Sequence, residues 1–123
     1  MSPRIFICDD VFVNAKLIED VLRERGYSNL VSFSHPTDVI NAVYRGDFPE
    51  LVITDFSMPE IDGVTLLSTI SSLVAEVSGI IVSGDVRSAL KKSGDYPVLD
   101  KGDPCFIDIL PAYVESSLNG CLR

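Results

Sequence analysis

The sequence predicts a doubly wound α/β domain, in which helices cover both faces of a parallel sheet. Five short runs of β-rich, mostly apolar residues recur along the chain, and segments with helical periodicity separate them. Right-handed crossovers between parallel strands then place helices on both sides of the sheet. The 123 residues, 46% of them hydrophobic, are enough for one packed core, so we assign residues 1–123 to a single domain.

The predicted strands are short, as expected for a parallel sheet in a small domain. The first and third are almost continuously apolar, which is typical of strands that are buried on both faces. In chain order, the predicted strands are Ile5–Cys8, Leu30–Phe33, Leu51–Thr54, Ile80–Ser83 and Pro97–Leu99.

Each predicted helix has one apolar face, because a helix that packs on a parallel sheet must bury one side. These faces comprise Leu17, Ile18, Val21 and Leu22; Val39, Ile40, Val43 and Tyr44; Leu66, Leu67, Ile70 and Leu73; and, in the last helix, Phe106, Ile109, Leu110, Tyr113 and Val114. The fourth helix has only Val86, Ala89 and Leu90 before polar residues end it. We therefore predict a short fourth helix of about two turns or a little more.

The composition argues against several classes of function. With 18 acidic and 10 basic residues the net charge is −8, which disfavours direct binding to nucleic acids. His35 is the only histidine, so catalysis by histidine or a multi-histidine metal site is nearly excluded, and its place before Pro36 indicates a helix start. The three cysteines show no C-x-x-C spacing and are expected to be reduced, with Cys8 buried.

The chain has no apolar run long enough to cross a bilayer and no leader-like start. We therefore expect a cytoplasmic protein without membrane insertion.

Polar side chains follow the carboxyl ends of four predicted strands. They are Asp9 and Asp10 after the first, Asp55 after the third, Ser83 at the end of the fourth and Lys101 after the fifth. Carboxyl ends of parallel strands meet at one edge of the sheet, where ligands of such folds bind. Taken singly, each residue could instead cap a helix, open a turn or lie on the surface, but their shared edge favours a site.

The charges of these residues indicate what the site would bind. Three carboxylates and one ammonium leave a charge of −2, which a divalent cation would neutralise. Oxygen ligands without nearby histidine or cysteine favour Mg²⁺. A cation, an ammonium and a hydroxyl around one carboxylate indicate phosphoryl transfer to Asp55.

The segment from Asp55 to Gly63 has the pattern D-x-x-M-P-x-x-D-G. Together with the acidic pair, the serine and the lysine in this order, it resembles the receiver domains of the two-component response-regulator family over essentially the whole chain. This resemblance implies a flavodoxin-like strand order 2-1-3-4-5 in a three-layer α/β/α sandwich.

The resemblance also implies a role for each site residue. Asp55 is the expected phosphoacceptor, Ser83 would hydrogen-bond the phosphoryl group, and Lys101 would bind a phosphoryl oxygen. The implied Mg²⁺ ligands are Asp10, Asp55 and the main-chain carbonyl of Ser57, with Asp9 ligating through water or orienting these groups. Ser57 and Asp85 would flank the path of the hydrolytic water.

By the same resemblance, a sensor histidine kinase or a histidine phosphotransfer protein donates the phosphoryl group, and an output domain or effector protein reads the change. A phosphorylation-dependent dimer is compatible with it. We expect a signalling switch and not an enzyme, apart from self-phosphorylation by small donors and autodephosphorylation.

The chain departs from the family at three points near the fifth strand. Gly102 stands where proline usually follows the lysine, Val98 replaces an aromatic residue, and the stretch from Ser83 to Lys101 is shorter. We expect a trans peptide after Lys101 and a reshaped loop. Tyr96, two residues before Val98, is expected to lie too far along the strand to replace the missing ring.

Three other functions fit the sequence less well. A Mg²⁺-dependent phosphohydrolase would place its nucleophile in a D-x-D pattern after the first strand and would need a cap, whereas this chain has adjacent Asp9 and Asp10. A flavodoxin-like electron carrier would need a Ser/Thr-rich phosphate loop there. A pure interaction module would not need the complete set of site residues.

Overall fold

The computed structural model describes residues 2–119, which form a five-stranded parallel sheet in the order β2-β1-β3-β4-β5. This confirms the predicted fold class and strand order. The elements are β1 (Ile5–Cys8), α1 (Phe12–Glu24), β2 (Leu30–Phe33), α2 (Pro36–Tyr44), β3 (Leu51–Asp55), α3 (Gly63–Leu73), β4 (Ser78–Ser83), α4 (Val86–Leu90), β5 (Val98–Asp100) and α5 (Phe106–Leu118).

The strand register brings the carboxyl ends of the central strands to one level. Cys8 of β1 pairs with Thr54 of β3, and Asp55 pairs with Val82 of β4. The order of the strands reverses between β1 and β3, where the chain leaves toward β2 on one side and toward β4 on the other. A crevice therefore forms above β1 and β3, at the position where doubly wound folds bind their ligands.

Alternate side chains of the buried strands supply two separate cores. In β1, Ile5 and Ile7 pack with α1 and α5 on one face, whereas Phe6 and Cys8 pack with α2, α3 and α4 on the other. All four side chains are buried. This explains the continuous apolar run of the strand, since both faces of the sheet are covered by helices.

Some residues that the helical periodicity assigned to the core lie on the surface. Leu17, Leu73 and Tyr113 are exposed, and Tyr44 is 73% exposed. Each stands at the margin of its helix's apolar face, so periodicity alone overestimates the width of the buried face.

Helix α4 is shorter than predicted, with five residues instead of about two turns. Of its expected apolar face only Ala89 is buried, and Leu90 is 56% exposed. Gly94 follows with a φ of +58°, a conformation that suits glycine and ends the segment. Few apolar contacts therefore hold α4 to the sheet.

Three strands also differ from the prediction in their bounds. Strand β3 extends to Asp55, β4 begins at Ser78 and not at Ile80, and β5 covers Val98–Asp100. Gly79 thus lies inside a strand and does not mark a turn. A Cβ atom there would lie 2.7 Å from Cδ1 of Leu67, so glycine allows α3 to pack closely on β4.

Cys8 and Cys105 carry free thiols, and Cys8 is buried as predicted, whereas Cys121 lies outside the described residues. Pro36 is the first residue of α2 and His35 is its exposed N-cap. Within residues 2–119, none of the helices has the length and apolar character that crossing a membrane requires.

Candidate functional site

Asp55 is the last residue of β3 and is only 6% exposed. The backbone after it turns sharply, and the N–H of Gly63 donates to the carbonyl of Phe56 at 2.8 Å. A Cβ atom at position 63 would overlap the carbonyl oxygen of Asp55, so the glycine of the Asp-Gly pair is needed for this close approach. The strand and the returning loop therefore hold Asp55 firmly in place.

Asp9 and Asp10 lie beside Asp55, as the sequence predicts. One carboxylate oxygen from each of the three residues lies within 4.8 Å of the others. Asp9 is buried and accepts a hydrogen bond from the N–H of Val11 at 2.9 Å, whereas Asp10 is exposed. The three carboxylates thus form an acidic cluster with one side open to solvent.

Lys101 reaches this cluster from the end of β5. Its Nζ lies 2.9 Å from Oδ1 of Asp55 and 3.3 Å from Oδ2 of Asp9. The N–H of Lys101 donates to the carbonyl of Ser83 at 3.0 Å, which extends the pairing of β5 with β4 beyond the last strand residue. The lysine therefore bridges two buried carboxylates.

The electrostatics of the cluster disfavour the charged form of Asp55. Burial raises the pKa of Asp55, Lys101 lowers it in part, and Asp9 and Asp10 raise it again. Burial alone would lower the pKa of Lys101, but the hydrogen bond and charge of Asp55, with the charge of Asp9, raise it overall. The site consequently holds excess negative charge around a protonated lysine.

The oxygen donors of this cluster fit a hard divalent cation. Asp9, Asp10 and Asp55 offer carboxylate oxygens, and Ser57 borders the same crevice. With Lys101 as the cation paired to the cluster, the local charge is negative, and no thiolate or imidazole takes part in the cluster described. This donor set suits Mg²⁺ better than zinc or copper.

A cleft of about 390 Å³ opens above Asp55. Its walls are formed by Asp55, Phe56, Ser57, Ser83, Gly84, Asp85, Ser88 and Lys101. The hydroxyl of Ser83 accepts a hydrogen bond from the N–H of Asp85 at 2.9 Å. An acceptor carboxylate, an ammonium and a hydroxyl therefore share one solvent-accessible cleft.

Ser88 is a cleft residue that the sequence analysis did not identify. Asp85 caps α4, and its side chain accepts from both the N–H and the hydroxyl of Ser88, at 3.3 and 2.7 Å. The hydrogen bond from the Ser88 side chain is the largest cause that lowers the pKa of Asp85. The sequence signal for this contact was a potential cap residue, Asp85, followed three positions later by the polar residue Ser88.

The departures from the family pattern reshape the region around β5. The backbone of residues 2–119 contains no cis peptide, and the N–H of Gly102 donates to Oδ1 of Asp100 at 2.8 Å. Tyr96 lies near Gly79 at the start of β4, and its hydroxyl is 3.0 Å from that of Ser71. The ring of Tyr96 therefore lies near the amino-terminal end of β4, whereas Ser83 lies at its carboxyl end.

Comparisons with known proteins agree with this arrangement. The sequence model described as the response regulator receiver domain matches residues 5–95, a stretch that contains Asp9, Asp10, Asp55 and Ser83 and ends before Lys101. The chemotaxis protein CheY of Bacillus subtilis is 31% identical over 83 residues, which cover 68% of this chain and 68% of that protein.

A second relative, the chemotaxis protein CheY-3 of Vibrio cholerae, is 30% identical over 69 residues, or 56% of this chain. The aligned part spans 52% of that relative. Among solved structures, a response regulator receiver protein from Sinorhizobium medicae superposes with a TM-score of 0.84 at 18% identity, covering 96% of this chain and 95% of that one. The sequence match, the fold and the gathered site residues together show that the chain belongs to the response regulator receiver domain family.

Proposed function

We propose that the protein is a phosphorylation-controlled switch in which Asp55 accepts a phosphoryl group from a histidine kinase or a histidine phosphotransfer protein. The observation that carries this proposal is the cleft above Asp55, where the ammonium of Lys101 lies 2.9 Å from the buried carboxylate and the Ser83 hydroxyl lines the same cleft. Membership of the receiver family supports it, because CheY-type relatives are among the matches.

The transfer needs a nucleophile and donors for the phosphoryl oxygens. An oxygen of Asp55 forms the new bond to phosphorus, while the bond from phosphorus to the donor's nitrogen or oxygen breaks and the donor keeps the electron pair. Lys101 then exchanges its contact with Asp55 for one with a phosphoryl oxygen, and Ser83 donates its hydroxyl to another. When bound, Mg²⁺ supplies positive charge that offsets the negative charge of the transferred group.

Asp10, Asp55 and the main-chain carbonyl of Ser57 would hold the Mg²⁺, with Asp9 orienting the neighbouring groups. Asp9 suits this second role, because its two oxygens already interact with the N–H of Val11 and with Lys101. Asp10 is exposed and suits direct ligation. In this scheme Asp55 accepts one phosphoryl group at a time and later loses it to water, so the adduct acts as the signal and hydrolysis of the donor is incidental.

Ser83 also provides a route from the site to α4. Its hydroxyl accepts from the N–H of Asp85, whose side chain caps α4. If Ser83 turns toward a phosphoryl group, this hydrogen bond is lost, and residue 85 is no longer tied to Ser83 while its side chain keeps its contacts with Ser88. A five-residue helix with one buried side chain shifts easily, so an output domain or effector protein would read a change in residues 84–94.

Phosphorylation by a small donor tests the proposal. Acetyl phosphate with Mg²⁺ should label the wild type, and the Asp55→Asn variant should not be labelled. The Asp10→Ala variant should need much more Mg²⁺, whereas Asp95→Asn, an exposed aspartate near the start of β5, is the matched control and should behave as the wild type. Labelling that EDTA does not diminish would contradict the mechanism, and sustained hydrolysis of the donor without a lasting adduct would favour a phosphohydrolase.

A further inference from the structure

Ser88 donates a hydrogen bond to each oxygen of the Asp85 carboxylate. Its N–H donates to Oδ1 at 3.3 Å and its hydroxyl donates to Oδ2 at 2.7 Å. The shorter of these contacts joins the two side chains, and both residues line the cleft above Asp55. A hydrogen bond at this distance to a charged acceptor is a strong one.

Asp85 lines the solvent-exposed side of the cleft. Its own N–H is bonded to the Ser83 hydroxyl at 2.9 Å, which ties residue 85 to the wall of the cleft, and its side chain is exposed to solvent. A carboxylate oxygen that is free to accept a hydrogen bond can orient a water molecule for attack and take up its developing positive charge. An oxygen that already accepts from Ser88 is less able to do so.

We propose that Ser88 is a positioning residue that prolongs the phosphorylated state by holding the Asp85 carboxylate away from the hydrolytic water. This inference rests on the proposed function of Asp55. In the step concerned, the water oxygen forms a bond to phosphorus while the bond between phosphorus and the Asp55 oxygen breaks. The electron pair returns to the Asp55 carboxylate, inorganic phosphate leaves, and the proton from water passes to solvent.

Replacement of Ser88 by alanine removes the hydrogen bond to Oδ2 of Asp85. It keeps the backbone N–H of residue 88, which still donates to Oδ1 of Asp85 and so preserves the cap of α4. The Ser88→Ala variant should therefore lose its phosphoryl group about three- to tenfold faster than the wild type, the range that one hydrogen bond to the attacking water supplies. Ser88→Thr keeps a hydroxyl at this position and should restore the slow decay.

The Asp85→Asn variant serves as a background that separates an effect of the Asp85 carboxylate on the decay rate from an effect of a changed α4. Asparagine is as good an N-cap as aspartate, so the start of α4 is kept, but its neutral amide is a much weaker acceptor for the attacking water. The Ser88→Ala substitution should therefore leave the decay rate unchanged in this background. Urea midpoints of the wild type and the four variants establish that all of them are folded under the conditions of the assay.

The experiment labels the wild type, Ser88→Ala, Ser88→Thr, Asp85→Asn and the double variant with acetyl phosphate and Mg²⁺, removes the donor and follows the label on Asp55. Faster decay in Ser88→Ala that disappears in the double variant supports the inference. Equal decay in the wild type and Ser88→Ala, or the same acceleration in both backgrounds, overturns it and leaves the proposed function standing. Absence of label from Asp55 in the wild type overturns the proposed function and this inference together.

Discussion

The Asp55→Asn substitution should stabilise the metal-free protein. Asp55 is buried, and burial together with Asp9 and Asp10 raises its pKa despite the contact with Lys101. When folding raises the pKa of a carboxyl group, the charge that the group carries at neutral pH lowers the free energy of unfolding. Asparagine removes this charge, has nearly the same shape and still offers an oxygen to the lysine.

The size of the effect follows from the distances in the site. At an effective dielectric constant of about 20, two like charges 4.8 Å apart repel by about 3.5 kcal/mol, and Asp55 has two such neighbours at that separation or less. Its attraction to Lys101 at 2.9 Å is about 6 kcal/mol on the same basis. The repulsion slightly exceeds the attraction and burial adds to the cost, so we expect a gain of about 1–2 kcal/mol in the free energy of unfolding.

Urea unfolding in EDTA at pH 7 measures this gain, which should raise the midpoint by about 0.5–1 M. The gain should shrink as the pH falls through the raised pKa of folded Asp55 toward the unfolded value of about 3.9, because the wild-type carboxyl then also becomes neutral. Mg²⁺ should reduce the difference in the free energy of unfolding between Asp55→Asn and the wild type, because it stabilises the wild type. A less stable Asp55→Asn variant, or an equal gain in the exposed control Asp95→Asn, would refute the reasoning.

Three further outcomes are expected. Gly79→Ala should lower the free energy of unfolding by about 1–3 kcal/mol in thermal denaturation, because its Cβ would lie 2.7 Å from Leu67; the same substitution should cost less in a Leu67→Ala background, where the clash is absent. Beryllofluoride with Mg²⁺ should alter amide exchange mainly in residues 84–94, and a change confined to residues 95–98 would contradict the route through α4. Lys101→Ala should still be labelled by acetyl phosphate but should lose this change in exchange, since the lysine links the phosphoryl group to β5.

The succession of strands and helices and the place of the site were predictable because they depend on simple periodicities, whereas the strand order came from the family resemblance. Near-continuous apolar runs such as Ile5–Cys8 indicate strands covered on both faces, and parallel strands bring their carboxyl ends to one edge. Asp9, Asp10, Asp55 and Lys101 therefore had to lie close together once the strands were correctly placed. The distances among them in the structure agree with that expectation.

The features that were missed depend on contacts between elements that are distant in sequence. Gly79 fell outside the predicted fourth strand, and its place inside β4 is explained only by the close packing of Leu67 of α3 against it. Tyr44 has the periodicity of a core residue but lies beyond the part of α2 that the sheet covers. In the sequence, Ser88 fits only a common helix-capping pattern. Its place in the cleft becomes evident only in the structure, where Ser88, Ser83 and Asp55 line the same cleft.

The central claim, that Asp55 carries the phosphoryl group, is tested most directly by trapping the adduct chemically. Borohydride reduces an aspartyl phosphate to homoserine with release of phosphate, and peptide mapping by mass spectrometry then locates the modified residue. After incubation with acetyl phosphate and Mg²⁺, we expect homoserine at position 55 and its loss when EDTA is present. Homoserine at Asp9, Asp10 or Asp85 instead, or no homoserine in a protein that has consumed the donor, would contradict the account.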